Sequence, residues 1–119
     1  MVPTTTRPGF HGPVAQLIGR YTISAGETLT QALMGREPHI TRVGEHTQGV
    51  FSDVLGRTLP NGWQLGLPNE LFLTEEGTNF DGPGIPPDIE VPVFRSNDLD
   101  AGLDPALERA VAHLSETGR

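Results

Sequence analysis

Short apolar runs broken by glycine and proline dominate this chain, and only two stretches carry the longer period of a helix. Val14 to Ile18 is mostly apolar, the pattern of a strand buried on both faces, with Gln16 as its interruption. From Ser24 the spacing turns helical: Ala25, Leu29, Ala32 and Leu33 fall along one side, and Gly35 and Pro38 close the segment. Ile40 to Gly44 is a second β-rich run, so the first part of the chain predicts a βαβ unit with a helical crossover. Val54 to Leu59 and Trp63 to Leu67 flank Pro60-Asn61-Gly62, where the Asn-Gly pair predicts a two-residue type I′ hairpin turn. Glu70 to Thr74 predicts a further strand, turned by Glu75-Glu76-Gly77, and Ile89 to Phe94 a last short one. Asp104-Pro105 opens a final helix with Asp as N-cap and Pro at the first helical position; Leu107, Val111 and Leu114 form its apolar stripe and Gly118 ends it. Trp63, Phe72 and Phe80 are expected to pack in the core or an interface. The fold class is α/β, with a β-hairpin and a C-terminal helix; residues 1–13 form an irregular arm and residues 14–119 one domain, without internal repeat.

Composition narrows this picture. A chain of 119 residues holds one core, and 35% hydrophobic residues with Gly 15 and Pro 11 make that core thin, so the chain is expected to lean on a partner or on further chain. A formal net charge of −7 excludes nucleic acid as a partner, because phosphate binding needs a basic face. Without cysteine there are no disulfides, thiolate metal sites or cysteine nucleophiles. No signal peptide or membrane-spanning run occurs, so a cytoplasmic location is the default expectation. All 8 basic side chains are arginines, and the absence of lysine bears on the chemistry below.

Thr22-Ile23-Ser24-Ala25-Gly26-Glu27 places a hydroxyl between a strand and a helix start, where free N–H groups and the helix dipole can stabilise an oxyanion. Ser24 followed by Glu27 is equally a capping box, and spacing alone leaves both readings open. His46, with a side chain that titrates near neutrality, is a weak candidate for a base, set against its reading as a solvated loop residue. His11, His39 and His113 show no metal-ligand spacing, and Asp98, Asp100 and Asp104 lack the glycine and glutamate of a calcium loop, so neither metal nor cofactor is expected. Pro83, Pro86 and Pro87 make a stiff irregular connection.

Four separated segments, in order and spacing, resemble the closing half of the C-terminal processing (tail-specific) serine peptidases. They are Tyr21 to Glu27, Arg42 to Gly49, Leu59 to Trp63 and Gly82 to Asp88, within a match from about Gly12 to Phe94. The resemblance implies a partial crotonase/Clp-protease-like βαβ spiral and a peptidase acting on peptides or unfolded proteins. It makes Ser24 the nucleophile and the Ala25 N–H an oxyanion donor. Many members carry a lysine base directly after the glycine of the Gly-Glu-x-Thr-x-Gly loop, but here Val50 follows Gly49, so no Ser–Lys dyad can form within the chain. A tricorn-like branch uses an upstream histidine and a carboxylate near Gly-x-Gly-Ile-Pro-Pro-Asp, where Asp81 stands. These departures imply a nucleophile-bearing C-terminal part, inactive alone, that works with an N-terminal half or another copy of itself. The alternative is a non-catalytic binding or structural remnant of the same fold.

Overall fold

A computed structural model describes residues 9–117 of this chain. Three strands, β1 (Val14–Ile18), β2 (Ile40–Gly44) and β5 (Ile89–Glu90), form a parallel sheet in the order β1-β2-β5. The helix α1 (Ala25–Leu33) connects β1 to β2, which is the βαβ unit the sequence predicts. The last strand is shorter than the Ile89 to Phe94 run, because Pro92 lacks a backbone donor and Phe94 turns into positive φ at 54°.

The register Val14↔Ile40 through Ile18↔Gly44 fixes which side chains share a face of the sheet. Gln16 lies on one face and donates from Nε2 to Thr30 Oγ1 of α1 at 2.8 Å. Thr41 lies on the other, its Oγ1 2.9 Å from His113 Nε2 of α3 (Pro105–Thr117). The sheet is thus layered between α1 and α3. Gln16 is no blemish in an apolar strand: it is the hydrogen-bonding contact of β1 with the crossover helix.

Both helices turn a different side inward from the one their apolar spacing suggests. In α1 the buried residues are Glu27 and Thr30, whereas Leu29 is 57% exposed. In α3 the buried residues are Ala106 and Ala110, and the expected stripe at Leu107 and Val111 faces outward. Methyl side chains let α3 approach β1 closely. Asp104 caps it as predicted, its Oδ1 accepting the Leu107 N–H at 3.0 Å, while Gly118 lies outside the described residues. His113 is half-buried, and its ring meets Thr41. A short helix that the sequence did not announce, α2 (Ser96–Asp100), precedes α3.

The large buried apolar side chains are Ile18, Ile40, Val43, Phe51 and Ile85, and among the described residues more large apolar side chains are exposed than buried. The core is thin, as composition implies. The most exposed element is the antiparallel hairpin of β3 (Val54–Thr58) and β4 (Gln64–Pro68), in which every residue is exposed. At its tip Trp63 is 71% exposed, so it packs in no core of this chain. Glu70 to Thr74 forms no ladder; one isolated bridge, Leu73↔Asn79, closes the turn at Glu75-Glu76-Gly77.

The hairpin turn differs from the two-residue type I′ expectation. Leu59 N–H donates to Trp63 C=O at 2.8 Å and Gly62 N–H to Leu59 C=O at 2.8 Å, enclosing the loop Pro60-Asn61-Gly62. Only Gly62 in it has positive φ, 86°. Pro60 fixes the φ of a type I turn, which leaves the left-handed position to the glycine of a bulge. Gly62→Val should cost about 1–2 kcal/mol through backbone strain alone, since open space surrounds the position. Faster amide exchange at Leu59 than in the unsubstituted chain checks this; unchanged exchange would contradict the turn.

Candidate active site

Ser24 closes the connection from β1 and immediately precedes α1, with φ 52° and ψ −117°. An ordinary helix cap sits in the extended region, whereas left-handed φ in a non-glycine residue is strained. Sharp, strained strand–turn–helix corners of this kind present the nucleophile in α/β-hydrolases. Thr22 tightens the corner: its N–H donates to Gly19 C=O at 2.7 Å and its Oγ1 accepts the Gly19 N–H at 3.1 Å. Two clefts are lined by residues near Ser24 in sequence, one of about 420 Å³ by Tyr21, Thr22 and Phe94, the other by Thr28; Ser24 itself lines neither.

The first residue of α1 is Ala25, whose N–H has no acceptor among the described residues. It is one of the orphan donors that every helix start leaves. The next N–H, of Gly26, is taken by Ile23 C=O at 2.9 Å. The corner therefore offers one unpaired N–H beside a hydroxyl, at the positive end of a helix.

Glu27 is the residue whose importance sequence reading missed. It is 0% exposed, yet among the described residues its carboxylate pairs with no cation. Its Oε1 accepts the Gly49 N–H at 2.7 Å; its Oε2 accepts the Val50 N–H at 2.8 Å and the Ser24 N–H at 3.3 Å. Charge-assisted bonds to backbone donors, with the helix N-terminus, replace the water lost on burial. The capping-box spacing reveals only the bond to Ser24. The two longer-range bonds tie the corner to the segment that follows β2.

That segment is braced on both sides. Ser24 N–H donates to Val50 C=O at 2.8 Å and Gln48 N–H to Thr22 C=O at 3.0 Å. On the far side Thr47 and Ile85 exchange bonds, Thr47 N–H to Ile85 C=O at 3.1 Å and Ile85 N–H to Thr47 Oγ1 at 2.7 Å, and Gly82 N–H donates to Gly49 C=O at 2.8 Å. Gly49 and Gly84 adopt φ of 78° and 75°, and a β-carbon on either would overlap a carbonyl oxygen of the facing strand of chain. Arg42 and Asp88 lock the end of this arrangement: Asp88 Oδ2 accepts the Arg42 N–H at 2.7 Å, Arg42 Nη2 lies 2.6 Å from Asp88 Oδ1, and Nε donates to Pro86 C=O at 3.0 Å. His39 Nε2 joins the same carboxylate at 3.2 Å.

Asp81 and His46 are not bonded to Ser24. Asp81 Oδ1 accepts the Phe51 N–H at 3.3 Å, so it supports the segment beside the corner. His46 is exposed, its Nδ1 3.3 Å from Pro83 C=O, and it lines a separate cleft with Arg20, Tyr21 and Gln48. Among the described residues no group of histidines and carboxylates has the arrangement of a metal site, and no helix is long and apolar enough to cross a membrane.

Comparison with known proteins bears on the family and the fold. The model of peptidase family S41 matches residues 3–91. A solved structure from Parabacteroides merdae, assigned as a peptidase, is 26% identical with a TM-score of 0.79, over 92% of this chain and 34% of that one. The photosystem II D1 C-terminal processing protease is 26% identical with a TM-score of 0.57, over 67% of this chain and 20% of its own. The tricorn protease is alike in fold, with a TM-score of 0.71 at 21% identity, over 98% of this chain and 12% of its own. The mixed α/β architecture is that of these Clp-like peptidases. The chain spans about a third of the Parabacteroides protein and less of the other two. No curated protein matches it.

Proposed function

The chain belongs to peptidase family S41, and from that premise we propose that it is the nucleophile-bearing part of a serine endopeptidase of the C-terminal processing type, acting on peptides or unfolded proteins. The observation that carries this is the strained Ser24 corner with the unpaired Ala25 N–H beside it. Ser24 Oγ adds to the scissile carbonyl while a base takes its proton. The oxyanion is held by the Ala25 N–H and the start of α1. Collapse expels the amine, which leaves with the proton, and water then hydrolyses the acyl-enzyme.

The base is the part these 119 residues do not supply. There is no lysine, Val50 occupies the position after Gly49, and His46 is turned to Pro83. We assign the base to the remainder of a catalytic domain, which would also cover the exposed β3–β4 hairpin. Asp81 acts in this scheme as a supporting residue of the segment that flanks Ser24.

General-base assistance supplies about 10²- to 10⁴-fold in rate, so the chain alone should hydrolyse unfolded peptides no faster than its Ser24→Ala variant. Robust cleavage lost in Ser24→Ala would overturn this expectation, and further loss in His46→Ala would make His46 the base. The rival reading, a binding remnant that has lost the chemistry, draws its support from the missing lysine.

A further inference from the structure

Ser24, Thr28 and Gln31 are spaced four and three residues apart and so follow one face of α1. Thr28 and Gln31 line a cleft of about 660 Å³ whose opposite wall is the segment from Phe72 to Glu76. At 1.5 Å per residue Thr28 stands about 6 Å, and Gln31 about 10.5 Å, along the helix from Ser24. An extended peptide advances about 3.3 Å per residue, so one that runs from Ser24 along α1 brings a side chain two or three residues away level with this cleft.

Its chemistry is one-sided. Glu75 and Glu76 stand in the wall, no basic residue lines it, and among the described residues neither carboxylate is in an ion pair. Gln31 Oε1 is buried without a hydrogen-bond partner among the described residues. Phe72 and Met34 provide apolar wall for an aliphatic stem beneath a cationic head. We infer that this cleft is a substrate subsite for an arginine or lysine side chain, an inference that rests on Ser24 being the nucleophile. Hydrogen bonding to its own backbone N–H, and then to Thr74, holds the Glu76 carboxyl below its ordinary value and keeps it anionic.

The test uses the isotopically labelled chain and two acetylated pentapeptides that differ only in arginine against its neutral isostere citrulline, followed by amide shifts. The arginine peptide should shift Thr28, Gln31 and Glu75 and bind about three- to tenfold more tightly at low salt, the range expected for partly exposed charges. The preference should vanish in the Glu75→Gln/Glu76→Gln variant, whose remaining amides should keep their positions. Equal affinities, or shifts confined to other residues, would reject the subsite. A small fluorophosphonate, which has no side chain to place in the cleft, reads Ser24 separately. An adduct without arginine preference rejects the subsite alone, whereas arginine preference with no adduct on Ser24 in a completed domain rejects its role in catalysis.

Discussion

Replacing Glu27 with alanine is expected to destabilise the fold by about 2–4 kcal/mol, because it strips backbone N–H groups of their acceptors. The Gly49 N–H loses its acceptor in a buried setting, at about 1–3 kcal/mol, and the Val50 N–H, on an exposed residue, loses less, while Ser24 N–H keeps its bond to Val50 C=O. A favourable carboxylate at the start of α1 is lost as well. Glu27→Gln keeps one acceptor oxygen and sets a donor against the other N–H, so it should fall between wild type and alanine. Denaturant midpoints measure both. A midpoint for Glu27→Ala within the error of wild type would mean that the carboxylate does not hold the corner to the following segment.

The second large effect is expected at Gly84. Alanine there meets two penalties: a φ of 75° costs about 1–2 kcal/mol, and its β-carbon would overlap the Thr47 carbonyl oxygen. That oxygen belongs to backbone pinned by the Thr47–Ile85 pair, so neither side can yield without breaking those bonds. A loss of about 4 kcal/mol or more follows, in the range that marks a specific structural fault. Against a typical stability of about 5–15 kcal/mol, this would leave much of the chain unfolded or the segment from Thr47 to Ile85 unpaired. Amide exchange at Ile85 separates the two outcomes, and unchanged exchange with an unchanged midpoint would contradict the interlock.

Local signals carried much of this architecture. The runs of β1 to β4, the Asp104-Pro105 helix start and the turn at Gly77 are read from neighbouring residues and fold close to where those residues place them, whereas the Glu70 to Thr74 run forms no ladder and the Ile89 to Phe94 run is cut to two residues. The sides that the helices turn inward could not be read this way. Apolar spacing in α1 points to Leu29, but a hydrogen bond from Gln16 and the reach of Glu27 to Gly49 and Val50 decide its orientation, and these partners lie far apart in sequence. In α3 the spacing points to Leu107 and Val111, yet alanines face the sheet because they permit the closest approach. At the hairpin, Asn-Gly suggested a type I′ turn, but the fixed φ of Pro60 decides the turn type. Of the site, the position of Ser24 before α1 was legible in the sequence, whereas the segment placed against it depends on pairing between residues 47 and 85.

The central claim is that Ser24 is a nucleophile set in a prepared corner, and the most direct measurement is intact mass with peptide mapping after treatment with a fluorophosphonate. The chain should be tested alone and co-expressed with the remaining segment of a catalytic domain. A single adduct on Ser24 is expected in the completed domain, absent from Ser24→Ala and weak in the chain alone, where no base assists. A completed domain that takes no adduct, or takes it on another residue, would contradict the account.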